Sequence, residues 1–346
     1  MSLWLLLQVL TTVLLFLFAI RLLGSATDAL TPFLRRSLDR IVVDDWSALG
    51  LSWLATYALV NGSLVAALSL SLFTAGLVPA SQLFLMVVGS RLGAAAVVVL
   101  IGGFDYLSEE VDTLRESTSL GLLTFLLTHS VYLPALAVGY LALPALGEVS
   151  VRRRPRPLLG LRVPDLLSVL TETVVDVVGP GVAFALALGC VLLSLRLFDR
   201  ILDSVDKQRL RSRYITEFND KWLSFGIGLV LTGLTTSVAF SLGVVVPLYN
   251  RGHVKRQEIM PFVLGANIGT LVDTLVVAVA LDSPMGVAVV TVLLALGLVF
   301  SVALLLVFPT YGALVDAVQD QILEHPSYFV GFLVSLVVVP LSLILF

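Results

Sequence analysis

The chain has 346 residues, 58% of them hydrophobic and 13% charged, a net charge of −3 and a mean hydropathy of +1.03. Soluble domains carry about 25% charged residues, so this composition excludes a water-solvated fold. It also disfavours other classes: the one cysteine, Cys190, lies in an apolar run, and His129, His253 and His325 show no metal-ligand spacing. The slight negative charge offers nucleic acid no general attraction.

The apolar residues fall in blocks near the 20 residues that a helix needs to cross a hydrocarbon core about 30 Å thick. The first, Leu3–Ile20, lacks a preceding basic residue and a small-residue cleavage site, and reads as a retained helix reaching about Leu23. Residues 28–46 mix Arg35, Arg36 and Arg40 with spaced apolar positions, as does 199–222; both read as amphipathic interfacial helices. Further blocks follow at 47–78, 81–102, 119–146, 174–198, 223–249, 257–281, 285–308 and 328–346. The link 103–118 is acidic (Asp105, Glu109, Glu110, Asp112, Glu116). The link 147–166 carries Arg152, Arg153, Arg154, Arg156 and Arg162, which the positive-inside rule places in the cytoplasm. The expected organisation is a first repeat over 1–146, a basic cytoplasmic linker over 147–173 and a second repeat over 174–308. Residues 309–346 then form an acidic link and an added C-terminal span.

A shift of 176 residues superposes Asp44 on Asp220, Trp46 on Trp222, Gly50 on Gly226, Gly89 on Gly265 and Gly93 on Gly269. Leucine matches would mean little here, but paired Trp and Gly at one unbroken offset point to internal duplication, the usual build of secondary transporters. Two equivalent blocks do not read as plain spans. As one helix, 47–78 would be about 48 Å long, and its middle is Val60-Asn61-Gly62-Ser63. Its partner, 223–249, holds Thr235-Thr236-Ser237 at the same place, among Gly226, Gly228, Gly233 and Gly243. Re-entrant hairpins fit both blocks. Their half-helix N-termini would offer free N–H donors to an anion at Asn61, Gly62, Ser63, Thr235, Thr236 and Ser237. A long tilted helix with hydroxyls bonded to its own carbonyls would also accommodate either block.

Each hairpin precedes a glycine frame. In the second half it is Gly265-Ala266-Asn267-Ile268-Gly269-Thr270, followed by Asp273-Thr274. Asn267, Thr270 and Asp273 supply oxygen ligands suited to a hard cation such as Na⁺, with Gly265 and Gly269 permitting close backbone approach. In the first half, Gly89-Ser90-Arg91-Leu92-Gly93-Ala94 keeps the glycines but puts Arg91 where Asn267 stands. Arg91 and Asp273 are the two charges in the middle of apolar blocks, which marks them as paired, functional or both. His129, on an apolar helix, reads as a packed residue rather than a ligand.

These elements resemble the type II sodium-dependent phosphate cotransporter family, whose repeats each carry a Gln-Ser-Ser-Ser element and then Gly-Ala-Asn-Ile-Gly-Thr-Thr. Leu15-Phe16-Leu17-Phe18-Ala19-Ile20-Arg21-Leu22-Leu23-Gly24 is similar to the family's opening helix, and Leu127-Thr128-His129-Ser130 to its histidine-bearing helix. This sequence departs from the pattern at Val60-Asn61-Gly62-Ser63, at Thr236-Ser237-Val238-Ala239 and at Leu271. The resemblance implies an all-α polytopic membrane protein of two inverted repeats, each with three spans and a re-entrant helical hairpin, plus the extra C-terminal span. It implies sodium-coupled transport of inorganic phosphate or a similar small anion at a midplane site in the cell membrane. Arg91 would then join the anion site, and sodium would sit at Asn267, Thr270 and Asp273. No hydrolytic or redox constellation is visible, so an enzyme is not expected. The depleted serines leave a different solute, or a non-transporting membrane scaffold or regulator, as the other readings.

Overall fold

In hydrocarbon every backbone N–H and C=O must be bonded within its own segment, so apolar blocks of this length become helices. The structure, a computed structural model, describes residues 3–107, 114–152, 165–203, 220–235 and 256–345, and every regular element among them is helical. In chain order these are α1 (Leu3–Ile41), α2 (Asp45–Leu59), α3 (Gly62–Thr74), α4 (Ala80–Leu107), α5 (Leu114–Arg152) and α6 (Asp165–Val178). They continue as α7 (Pro180–Asp203), α8 (Lys221–Thr235), α9 (Arg256–Gly269), α10 (Leu271–Ala280), α11 (Pro284–Leu306), α12 (Phe308–Glu324) and α13 (Pro326–Leu345). Seven helical segments among the described residues are long and apolar enough to cross a membrane: Trp4–Ile41, Ala80–Ile101, Thr118–Pro144, Pro180–Leu202, Gln257–Ala280, Pro284–Leu306 and Pro326–Leu345. Three per repeat and one more is the expected number.

The helix boundaries differ from the sequence reading in three places. α1 runs on to Ile41 and takes in most of the amphipathic stretch. Gly24 does not stop it; a Cβ there would lie 3.1 Å from Leu281 Cδ2, so the glycine sits at a close contact. The block 174–198 is broken instead at Gly179, whose φ of +83° suits glycine, and Pro180 then opens α7. The acidic stretch after residue 308 is not a loop but α12, whose Tyr311, Val315 and Leu323 are buried.

The duplication reappears as a packing unit. α2 and α8 begin at Asp45 and Lys221, again 176 apart. α2 packs on α4, and α8 on α9, through the same glycines. A Cβ on Gly89 would meet Leu49 O and Trp53 N; one on Gly265 would meet Phe225 O and Leu229 N. A Cβ on Gly93 would meet Trp53 O and Thr56 Cβ; one on Gly269 would meet Leu229 O and Thr232 Cβ. Every pair is related by the same shift. The helix starts match too. Asp44 accepts from the Ser47 amide at 2.7 Å, and Asp220 accepts from the Trp222 and Leu223 amides at 2.8 and 3.2 Å.

Candidate functional site

The first hairpin is broken where its composition changes. α2 ends at Leu59, Val60 adopts a left-handed conformation (φ 50°, ψ 28°), and Asn61 starts α3 by accepting from the Leu64 amide at 2.8 Å. The two pieces, 15 and 13 residues, are each about 20 Å long, so a single tilted helix is excluded for this block. Gly62 is pressed against α4: a Cβ there would lie 2.7 Å from Ser90 O and 2.9 Å from Ala94 Cβ. The tip therefore sits beside the turn of α4 that carries Arg91. Ser63 is half-buried in the first turn of α3. In the second repeat α8 is described as far as Thr235, whose hydroxyl donates to Leu231 O at 2.7 Å. Thr236 and Ser237 lie outside the described residues, as does the segment that would complete that hairpin.

Across the molecule α9 gives way to α10 at Thr270, and this junction faces Arg91. Arg91 Nη2 donates to Thr274 Oγ1 at 2.6 Å and to Asp273 Oδ1 at 3.5 Å, while Nη1 reaches Thr270 O at 3.4 Å. Thr274 in turn donates to Asp273 Oδ1 at 2.8 Å, so its hydroxyl bridges the two charges. Both charged residues are buried, at 6% and 4% exposure. Asn267 is held through its carbonyl, which accepts from Tyr132 Oη at 2.8 Å and Thr270 Oγ1 at 2.7 Å. Among the described residues, three buried polar atoms of this cluster have no partner: Arg91 Nε, Asp273 Oδ2 and Asn267 Nδ2.

A cavity of about 170 Å³ adjoins this cluster, lined by Arg91, Thr124, Thr128, Tyr132, Asn267 and Thr270, with Ala94, Ala95 and Val98 as its apolar wall. A water occupies about 30 Å³, so a small ion with part of its hydration shell fits. Among the described residues no three His, Cys, Asp or Glu side chains gather as for a transition metal. A cation here would take hydroxyl, amide and single-carboxylate oxygens, which suits a hard, weakly held ion.

The structure thus brings together Arg91, Asn267, Thr270 and Asp273 from opposite repeats. Gly62 packs against Ala94 of the cavity wall, but neither Asn61 nor Ser63 lines the cavity. Sequence reasoning overlooked Thr274 as a bridge and the α5 wall. The signal for the latter was present: Thr124, Thr128 and Tyr132 recur every four residues and so share one helix face. His129, one residue off that stripe, is stacked on Phe125 with Nδ1 2.9 Å from Phe125 O, as expected of a packed histidine.

Residues 15–163 and 190–314, which hold both glycine frames and both sides of the cavity, match the Na⁺/Pi-cotransporter family. The chain belongs to that family. Membership of the Na⁺/Pi-cotransporter family, with seven spanning helices among the described residues, makes it a multi-pass membrane protein. The chain is also similar to the uncharacterized protein YqeW of Bacillus subtilis (strain 168), 29% identical over 101 residues. That stretch is 29% of this chain and 33% of YqeW, so the match spans about a third of that relative. No solved structure matches the chain.

Proposed function

We propose that this protein is a sodium-coupled secondary transporter of inorganic phosphate or a similar small anion, working by alternating access between two inverted repeats. The observation that carries the proposal is the incomplete pairing of Arg91 and Asp273 beside a cavity. The charges neutralise one another at 3.5 Å, yet each keeps a buried polar atom with no partner among the described residues. An unpaired buried polar atom is costly, so these two atoms are where a ligand would gain most. Here an oxyanion could recruit the guanidinium through Nε, and a cation could take Asp273 Oδ2 with Asn267 and Thr270. The break at Val60–Asn61 brings the first hairpin tip to the same turn of α4, and Thr235, Thr236 and Ser237 would supply its counterpart. Coupling follows from electrostatics. An inside-negative potential opposes an entering anion by about 2.3 kcal/mol per charge per 100 mV, so uptake requires at least a matching number of cations.

Phosphate uptake into proteoliposomes, with and without an inward sodium gradient, tests this reading. Sodium-dependent accumulation that is lost in Asn267→Ala and Asp273→Ala supports it. Absence of sodium-dependent flux for any small anion would overturn it in favour of a membrane scaffold that kept the fold.

A further inference from the structure

The last helix, α13, lies beyond the residues that match the family and has no counterpart in the first repeat. Its main packing partner is α2, the opening half of the first hairpin, and the contact is chemically specific. Pro340 lies inside α13 and has no N–H, so the carbonyl of Leu336, four residues earlier, loses its helical donor. Tyr57 of α2 fills that vacancy: its hydroxyl donates to Leu336 O at 2.8 Å and itself accepts from Trp53 Nε1 at 2.7 Å. About two turns earlier on α2, Gly50 lets the helices touch, since a Cβ there would lie 2.5 Å from Pro340 O and 3.0 Å from Leu343 Cβ.

The other face of α2 bears on the site. The backbone of Trp53 sits between Gly89 and Gly93, the two glycines that flank Arg91. The chain of contact therefore runs from Pro340 and Leu336 through Tyr57 and Trp53 to the turn that carries the guanidinium. The second repeat is built otherwise. The shift of 176 puts Gly233 where Tyr57 stands and Gly226 where Gly50 stands, and among the described residues nothing lies within 4 Å of a Cβ added to Gly226.

We propose that α13 is a fixed strut for the first hairpin and that Tyr57 is a positioning residue. By bonding to the carbonyl that Pro340 strands, Tyr57 holds α2 and, through the glycine-faced α2–α4 contact, keeps Arg91 closed over its cavity. The strut itself does not depend on what is transported; only the consequence for anion binding rests on the transport reading.

The test is a cycle of Tyr57→Phe, Pro340→Ala and the double variant in the full chain, each carrying Thr128→Cys as a reporter on the cavity wall and Cys190→Ser to remove the native thiol. Thr128 lines the cavity, and cysteine nearly matches threonine in size. Tyr57→Phe should lower the melting temperature in detergent and raise several-fold the rate at which a charged reagent labels the introduced thiol. Pro340→Ala returns an N–H to Leu336 O, so Tyr57→Phe should do much less in that background on both readouts. Equal effects of Tyr57→Phe in the two backgrounds would overturn the strut. A lowered melting temperature with unchanged labelling would show that Tyr57 only stabilises, which overturns the positioning role. Both readouts stand without any solute, so absence of sodium-dependent phosphate uptake in the parent protein would sink the transport reading alone.

Discussion

Arg91 and Asp273, 182 positions apart in the chain, meet at 3.5 Å in a buried pair that joins the two repeats. Removing one partner leaves the other charge in low dielectric with nothing to neutralise it, a loss of about 3–5 kcal/mol for buried pairs. Replacing both removes the problem along with the pair. Arg91→Met and Asp273→Leu should each depress the melting temperature strongly, and the double variant should recover much of that loss while lacking sodium-driven uptake. Additive losses in the double variant would mean that the two side chains do not neutralise one another.

Thr274 provides a finer probe of the same cluster. Its hydroxyl accepts from Arg91 at 2.6 Å and donates to Asp273 at 2.8 Å, and valine keeps its shape while deleting both bonds. Thr274→Val should lower stability by about 1–3 kcal/mol, the usual range when buried polar groups lose a partner. In uptake assays it should change the sodium concentration that gives half-maximal rate, because Asp273 Oδ1 loses its local donor. Unaltered sodium dependence would assign Thr274 to folding only.

Much of this site was legible beforehand because membrane chains advertise their exceptions. Within blocks of leucine and valine, Arg91, Asp273 and the Asn267–Thr270 run stand out by cost alone, and the offset of 176 showed which residues correspond. Helix boundaries were harder. Gly24 stays inside α1, whereas Gly179, with a positive φ and Pro180 behind it, breaks a block whose apolar length reads as one span. The close approach of Leu281 to Gly24 shows only in the fold. Thr274 escaped notice for a related reason: a hydroxyl beside a carboxylate is ordinary until the guanidinium from the other repeat arrives next to both.

The glycine frames predict a paired result. At Gly93 a Cβ would come within 2.8 Å of Trp53 O and Thr56 Cβ, and at Gly269 within 2.7 Å of Leu229 O. Those neighbours are backbone or helix-anchored atoms that cannot step aside, so Gly93→Ala and Gly269→Ala should each cost about 1–3 kcal/mol through overpacking. Among the described residues nothing lies within 4 Å of a Cβ added to Gly189. Gly189→Ala should be neutral or stabilising, by up to about 0.5–1 kcal/mol from helix propensity. Thermal melts of the three variants in one detergent decide the matter, and equal behaviour of all three would contradict the close helix approach.

Asn61 offers a way to separate capping from anion binding at the first hairpin tip. Its Oδ1 caps α3 through the Leu64 amide at 2.8 Å, and loss of such a cap in Asn61→Ala should cost about 1 kcal/mol. Asn61→Asp retains the capping oxygen and adds a negative charge at a helix N-terminus, where the dipole favours it by about 0.3–1 kcal/mol. Stability should thus be kept or raised. The same charge repels an incoming oxyanion, so the KM for phosphate should rise several-fold at constant sodium, and salt should soften the effect by screening. An Asn61→Asp protein with unchanged KM would restrict Asn61 to its structural part and move the anion toward Arg91 and the α5 hydroxyls.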